Sequence, residues 1–242
     1  IDFARGGQAE SETLKLSLPQ PGAALSWVAF SDLHEQTSLV RQLAGHIPWQ
    51  NLDFVVYLGD LLNSTTNAGQ VAQSILGIPN GGRLLPHLYA RGNHEPRGPA
   101  GRSASDWLMP PGAEWYFTTQ LGDIFFIVLN SGEDDLDNHS KYAGLVNFAA
   151  YHQQQAAWLA EVFASAEYRR ARVRIVLMHI PPFNASPEYA PEFQPVLDLL
   201  LRQGDIDLVM SGHTHEPGIF LRAETGLPFP VTVEAGTEIQ QA

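Results

Sequence analysis

The chain contains no cysteine among its 242 residues. Disulfides and thiolate metal ligands are thereby excluded, while the redox compartment stays open. Basic residues are scarce: 14 Lys and Arg stand against 26 Asp and Glu, a formal net charge of −12. That deficit argues against nucleic acid or an anionic membrane surface as a partner, since both are bound through basic patches. A long apolar run is missing too. The longest dense one lies near residues 124–129, far short of the roughly 20 residues a bilayer-spanning helix needs. No signal peptide is visible, and the sequence starts at Ile1. That start and a linker-like opening lean toward a processed protein outside the cytoplasm, periplasmic or secreted. No feature of the sequence sets an oligomeric state.

What is present is 44% apolar and 17% charged residues, the balance of a globular chain able to bury a sizeable core. Residues 1–24 read apart from the rest. They hold Gly6-Gly7, an alternating edge-strand pattern over 14–18, and the turn Pro19-Gln20-Pro21-Gly22. One domain is expected over 25–242. Within it, strands are predicted at 25–30, 54–58, 88–90, 115–119, 124–129, 173–178, 206–210, 219–221 and 231–233. Helices are predicted at 37–44, 71–76, 151–163 and 191–202. The last carries Phe193, Val196, Leu197, Leu200 and Leu201 as one apolar stripe. Leu121-Gly122-Asp123 reads as a hairpin turn. Strands alternating with helices early, and hairpins later, suggest an α/β fold of two mixed sheets packed face to face with helices outside.

Five of these apolar strands end in a candidate ligand. Asp32 and His34 follow the strand ending at Phe30, Asp60 follows Leu58, and Asn93 and His94 follow Ala90. His179 follows Met178, and His213 and His215 follow Met210. Sites in α/β folds form at the carboxyl ends of strands, so these loops can converge. Glycine precedes Asp60, Asn93 and His213, which lets the backbone turn tightly and approach a ligand. The donors are too many for one tetrahedral zinc. They suit two metal ions with mixed nitrogen and oxygen ligands and a shared carboxylate, and Mn, Fe or Zn in preference to Ca or Mg.

The order Asp-x-His, Gly-Asp, Gly-Asn-His-Glu, His, Gly-His-x-His over residues 32–215 resembles the calcineurin-like metallophosphoesterase family. The resemblance implies a four-layer αββα sandwich and a catalytic domain over 25–242. It also implies two divalent or mixed-valence metal ions, the first held by Asp32, His34 and His215, the second by Asn93, His179 and His213. Asp60 would bridge them, and His94 would face the substrate as the catalytic acid. Two cations about 3.5–4 Å apart clamp a phosphoryl group and lower the pKa of a bound water. The hydroxide so formed attacks phosphorus in line with the leaving oxygen, and an imidazolium that protonates the leaving alkoxide adds about 10²–10⁴-fold. Glu95 is expected to orient one of the imidazoles. A phosphoester is the expected substrate, a monoester before a diester.

One position departs from the family's better-known branches. Protein Ser/Thr phosphatases carry an Asp three residues after the Gly-Asp aspartate, and purple acid phosphatases a metal-binding Tyr. Here that residue is Asn63. The chain therefore resembles a non-purple member that is not close to the protein phosphatases, and the orientation of His94 has no evident side-chain support.

Two readings from other classes compete. A catalytically silent scaffold on this fold would be expected to have lost a ligand or the histidine acid, and none is missing. A barrel hydrolase also uses His-x-His at strand ends, but there the motif opens the chain, whereas here it comes last. His46, His87, His139 and His152 match no block and read as surface or core residues. The acidic run Glu133-Asp134-Asp135-Leu136-Asp137 could bind a cation or fence the pocket, but reads first as a solvated loop. Arg97 and Arg102 follow the Asn93-His94 block within reach of a substrate's negative group, although loop arginines usually face water. Substrate choice is expected to lie in the open stretches 64–87, 97–114 and 131–148.

Overall fold

A computed structural model describes residues 18–83, 85–109, 113–184 and 191–234. The edge strand expected over 14–18 falls outside them except for Leu18. Nine strands and seven α-helices occur among the described residues. In chain order they are β1 (Trp27–Phe30), α1 (Thr37–Ala44), β2 (Phe54–Tyr57), α2 (Ala68–Leu76), β3 (His87–Tyr89) and α3 (Ala104–Leu108). Then come β4 (Phe117–Leu121), β5 (Ile124–Val128), α4 (Phe148–Ala164), α5 (Ala166–Arg170) and β6 (Val173–Leu177). The chain continues through α6 (Gln194–Arg202), β7 (Leu208–Ser211), β8 (Gly218–Phe220), α7 (Arg222–Thr225) and β9 (Val231–Val233).

The strands form a three-stranded sheet, β1-β2-β3, and a six-stranded sheet, β4-β5-β6-β7-β9-β8. Only the larger sheet is mixed: β4 and β8 lie antiparallel at its two edges. The smaller sheet is parallel throughout its described strands, because each of its connections contains a helix long enough for a crossover.

Side-chain alternation along β2 shows how the layers arise. Phe54, Val56 and Leu58 point inward and meet Phe126, Val128, Ile175 and Leu177 of the larger sheet. Val55 and Tyr57 point outward and pack with Val40 and Ala44 of α1 and Val71 of α2. The larger sheet behaves likewise. Ile127, Leu129, Val176 and Met178 cover its outer face against Leu159 and Val162 of α4 and Val196, Leu197 and Leu200 of α6. Helix, sheet, sheet and helix thus stack as an αββα sandwich. Burial of these apolar faces, at about 25 cal/mol per Å² removed from water, holds the four layers together.

Strand β4 runs Phe117–Leu121 against the expected 115–119, and β7 Leu208–Ser211 against 206–210; two helix starts differ because polar caps act. Asn67 accepts from the Gln70 amide at 3.0 Å and starts α2 at Ala68, before the apolar residues do. Asn147 accepts from the Ala150 amide, and Asp137 accepts from those of Phe148 and Ala149, which extends α4 to residue 148. Leu221 leaves β8 and becomes the N-cap of α7. The β4–β5 hairpin turns at Gly122-Asp123 as expected, with Leu121 paired to Ile124.

Candidate metal centre

The parallel strands β1, β2, β3, β6 and β7 each deliver their carboxyl end to a polar loop. The loops after β1 and β2 are tied together by main-chain bonds. The Asp32 amide donates to Gly59 O, and the His34 amide to Asp60 O, each at 3.0 Å. The Gly212 amide donates to His179 O at 2.9 Å and couples the loops after β6 and β7. The two sheets meet here with little room. A Cβ on Gly59, whose φ is +91°, would lie 2.5 Å from the Gly92 Cα and 2.8 Å from His179 Nδ1. A Cβ on Gly212 would collide with Ser31 Oγ and the Asp32 carboxylate.

Among the described residues seven non-glycine positions have positive φ, and five of them are Asp32, His34, Asp60, His213 and His215. Left-handed backbone costs a branched or bulky residue of order 1–3 kcal/mol and persists where surrounding contacts enforce it, commonly at functional sites. In this chain the strain falls on the residues singled out from the sequence.

The side chains converge. Donor atoms of Asp32, His34 and His215 lie within 4.8 Å of one another, as do those of Asp32, Asp60 and His179 and those of His34, Asp60 and His94. His215 Nε2 is 3.3 Å from Asp32 Oδ1 and 3.4 Å from His34 Nε2. His179 Nε2 is 3.2 Å from Asp60 Oδ2 and 3.9 Å from Asp32 Oδ1. The His213 amide donates to Asp32 Oδ2 at 2.8 Å, and its ring stands 5.1 Å from that of His179. Asp32 and His179 are fully buried, and Asp60 and Asn93 nearly so.

This donor set fits cations. The Leu58 carbonyl accepts from His179 Nδ1 at 2.7 Å, so the ring presents Nε2 to the centre. Asn93 Oδ1 lies 3.1 Å from that Nε2. Turning the amide would instead give its nitrogen to Asp60 Oδ2 at 2.9 Å and its oxygen to Arg97 Nη2 at 2.8 Å. Oxygen facing oxygen and imidazole nitrogen is the arrangement that a cation between them makes favourable. His34 turns Nε2 to the same centre, 3.9 Å from Asp32 Oδ1 and 3.4 Å from His215 Nε2, a group of acceptors that a positive charge between them would satisfy.

Charge within the cluster is mutually compensated. Burial alone would raise Asp60, but the His179 and His94 imidazoles override it and hold the carboxyl well below the usual carboxylate range. Burial disfavours a charged His179, yet Asp60, Asp32 and the Leu58 carbonyl raise it to about 9. Burial first, then His179, pushes His213 down to about 4. Burial also lowers His34, helped by His94 and His215 and opposed by Asp60 and Asp32. His34 and His213 are thus uncharged at neutral pH, while His179 would have to give up a proton to take a metal.

All eight sequence-selected residues reach this end of the sandwich, and an open cavity of about 500 Å³ above them is lined by His34, Asp60, Asn93, His94, His213 and His215. His94 lines the cavity and is 25% exposed, with Nε2 3.8 Å from Asp60 Oδ2.

Two expectations change, on Glu95 and on the run 133–137. Glu95 does not touch an imidazole. Its buried carboxylate accepts from the amides of Asp60, Leu61 and Gly92 and from the Tyr89 hydroxyl, at 2.7–3.1 Å. One buried carboxyl that accepts from four donors ties the loops after β2 and β3 together instead. The run 133–137 is not simply solvated. Glu133 is buried against Arg91 at 2.6 Å, Asp134 lines the cavity and Asp137 caps α4. His94 does have an orienting partner, the main-chain carbonyl of Asn63. Arg97 enters the cavity while Arg102 stays exposed. Sequence reasoning missed Ser31, which hydrogen-bonds the Asp32 carboxylate, and the Arg91–Glu133 pair.

Comparison with known proteins agrees with this geometry. The profile of the calcineurin-like phosphoesterase family matches residues 26–217. A curated protein named serine/threonine-protein phosphatase CPPED1, from Pongo abelii, is 27% identical over 143 residues, 55% of this chain and 42% of that protein. The chain thus spans less than half the length of this relative. A dimetal phosphatase from Danio rerio has a similar structure, with a TM-score of 0.61 at 13% identity over 88% of this chain and 87% of the other. A purple acid phosphatase from yellow lupin gives 0.58 at 16% identity over 93% and 48%. At these identities the structures establish the shared fold.

Proposed function

The chain belongs to the calcineurin-like phosphoesterase family, and from that premise we propose that it is a two-metal hydrolase of phosphomonoesters. In this reading Asp32, His34 and His215 hold one metal, Asn93, His179 and His213 hold the other, and Asp60 is shared. The observation that carries it is the convergence of Asp32, His34 and His215 and of Asp32, Asp60 and His179 into two overlapping donor groups, each within 4.8 Å. Manganese, iron or zinc suits this nitrogen and oxygen mixture. When bound, such ions supply a Lewis acid for the phosphoryl oxygens and lower the pKa of water.

The protein's own residues do the rest. His94 stands at the cavity floor, where its Nε2 hands a proton to the departing oxygen while Nδ1 stays on the Asn63 carbonyl. The bonds from Glu95 to the amides of Asp60, Leu61 and Gly92 keep the shared carboxylate and Asn93 in register. A relative named as a protein phosphatase favours a monoester. The open cavity of about 500 Å³ favours the second reading, a diesterase, because it has room for another ester arm.

The test is turnover of p-nitrophenyl phosphate and of bis-p-nitrophenyl phosphate before and after chelation and after addition of manganese, iron or zinc. Metal-dependent turnover that prefers the monoester is expected. Preference for the diester selects the second reading, and activity that survives complete metal removal ends both.

A further inference from the structure

Arg97 occupies an unusual place for a loop arginine. Its backbone is pinned, because its amide donates to His94 O at 3.0 Å and its carbonyl accepts from the Thr65 amide at 2.8 Å. Its guanidinium reaches back over the cavity. Nη1 donates to His94 Nε2 at 2.8 Å. Nη2 stands 3.9 Å from Glu133 Oε2 and 4.0 Å from Asp134 Oδ1, and the side chain keeps 35% exposure. Glu133 already forms a 2.6 Å pair with the buried Arg91, so its hold on Arg97 is the looser of the two. The result is a positive charge with a planar fork of donors, kept at the cavity by a 2.8 Å bond to the leaving-group histidine and by longer contacts to two carboxylates.

We infer that Arg97 is the residue that reads a phosphomonoester: its guanidinium takes a non-bridging oxygen that a monoester presents as charge and a diester covers with its second arm. The inference rests on the proposed phosphoester hydrolysis. Two physical points carry it. A guanidinium matches phosphate oxygens in fork geometry, and such charge-assisted bonds exceed the long pairings that Arg97 makes to Glu133 and Asp134. In addition, Arg97 covers the Nε2 that the leaving oxygen needs. A substrate that draws the guanidinium onto its own phosphoryl group frees His94 Nε2, which holds no proton while it accepts from Arg97 and takes one from solvent before giving it to the leaving oxygen, whereas a diester offers less charge to free it. Arg97 thereby couples recognition of the substrate's charge to exposure of the acid.

Arg97→Gln and Arg97→Lys in the metal-loaded protein test this, with metal content measured in each. Arg97→Gln is expected to lower kcat/KM for p-nitrophenyl phosphate by about 10–100-fold, the loss of a charged hydrogen bond, with a clearly smaller fall for bis-p-nitrophenyl phosphate. Arg97→Lys, which keeps the charge without the fork, is expected to fall between. Calorimetric titration with inorganic phosphate reads the same contact without turnover, and Arg97→Gln is expected to bind at least tenfold more weakly. Equal losses on both esters, or unchanged phosphate affinity, would overturn the role of Arg97. If the unaltered protein hydrolyses neither ester, the hydrolase proposal fails by itself, and the phosphate titration still decides on Arg97.

Discussion

The main-chain carbonyl of Asn63 accepts from Nδ1 of His94 at 2.9 Å. Asn63 stands three residues after the Gly-Asp aspartate, and there its backbone oxygen fixes the ring. The Asn63 side chain is occupied otherwise, giving its amide to His34 O at 3.0 Å and Glu35 Oε2 at 3.1 Å. The two roles separate by mutation. His94→Ala should reduce kcat on alkyl phosphates by about 10²–10⁴-fold, with a smaller loss on p-nitrophenyl phosphate, whose leaving group needs little protonation. Asn63→Ala removes two side-chain bonds worth about 0.5–1.5 kcal/mol each but keeps the carbonyl. Its kcat should therefore stay far above that of His94→Ala. Equal damage from both would show that the side chain of Asn63, not its carbonyl, orients the ring.

The ligand loops were legible in the sequence because their residue types stand out where they occur. A strand of Val, Phe and Tyr that stops at Gly-Asp, or a strand that stops at Gly-His-Thr-His, breaks hydrophobic patterning at one defined edge of the fold. The supporting groups carry no such mark. Glu95 sits next to His94 and looks like a partner for an imidazole, but only the folded backbone shows three amides pointing at it. Arg91 and Glu133 are 42 positions apart, and no local pattern links a strand-end arginine to a run of acids that reads as solvated. The helix starts at Ala68 and Phe148 were hidden for a related reason: polar caps extend a helix beyond its apolar stripe.

Glu95 should matter through structure that it imposes on others. Glu95→Ala leaves the buried amides of Asp60, Leu61 and Gly92 without their acceptor, at about 1–3 kcal/mol for each unsatisfied group. Loss of such supporting contacts lowers metal affinity or activity by about 10–100-fold. Urea unfolding and a metal titration of the same variant should both register the change, and Glu95→Gln, which retains one carbonyl oxygen, should be milder in both. Wild-type metal affinity in Glu95→Ala would refute a positioning role.

The Arg91–Glu133 pair should be costly to break and cheap to replace. Both side chains are at most 3% exposed, and Arg91 also donates to Asn130 Oδ1 at 2.8 Å. Removing one member of a buried pair typically costs about 3–5 kcal/mol, because the other charge stays buried and uncompensated. Arg91→Met alone should show that loss in urea unfolding. The double variant Arg91→Met, Glu133→Gln should recover a large part of it. A single variant that loses less than about 1 kcal/mol would mean that Glu133 finds water or another cation.

His152 gives the fold an acid-sensitive point away from the metal loops. It is 1% exposed on α4, stacked on Phe148 and edge-on to Phe193. Its Nδ1 accepts from Gln155 Nε2 at 3.1 Å, while Gln155 also joins both main-chain groups of Asn130. Burial, with Arg91 adding to it and Asp137 opposing, pushes the imidazole down to about 3 from its ordinary 6.5. The unfolded chain therefore takes up a proton as pH falls through 6.5, and the folded chain does not. Stability from this residue is complete above about pH 6.5 and declines toward pH 3, with a slope of up to about 1.4 kcal/mol per pH unit. Other buried histidines and, below pH 5, the carboxylates add slopes of their own, so the informative quantity is a difference. Urea unfolding of the protein and of His152→Gln between pH 7 and pH 5 should give a shallower pH dependence for the variant, whatever its absolute stability. Parallel curves would mean that the folded His152 takes up its proton over the same pH range as the unfolded chain, with Gln155 turning its amide oxygen to accept a hydrogen bond from the ring.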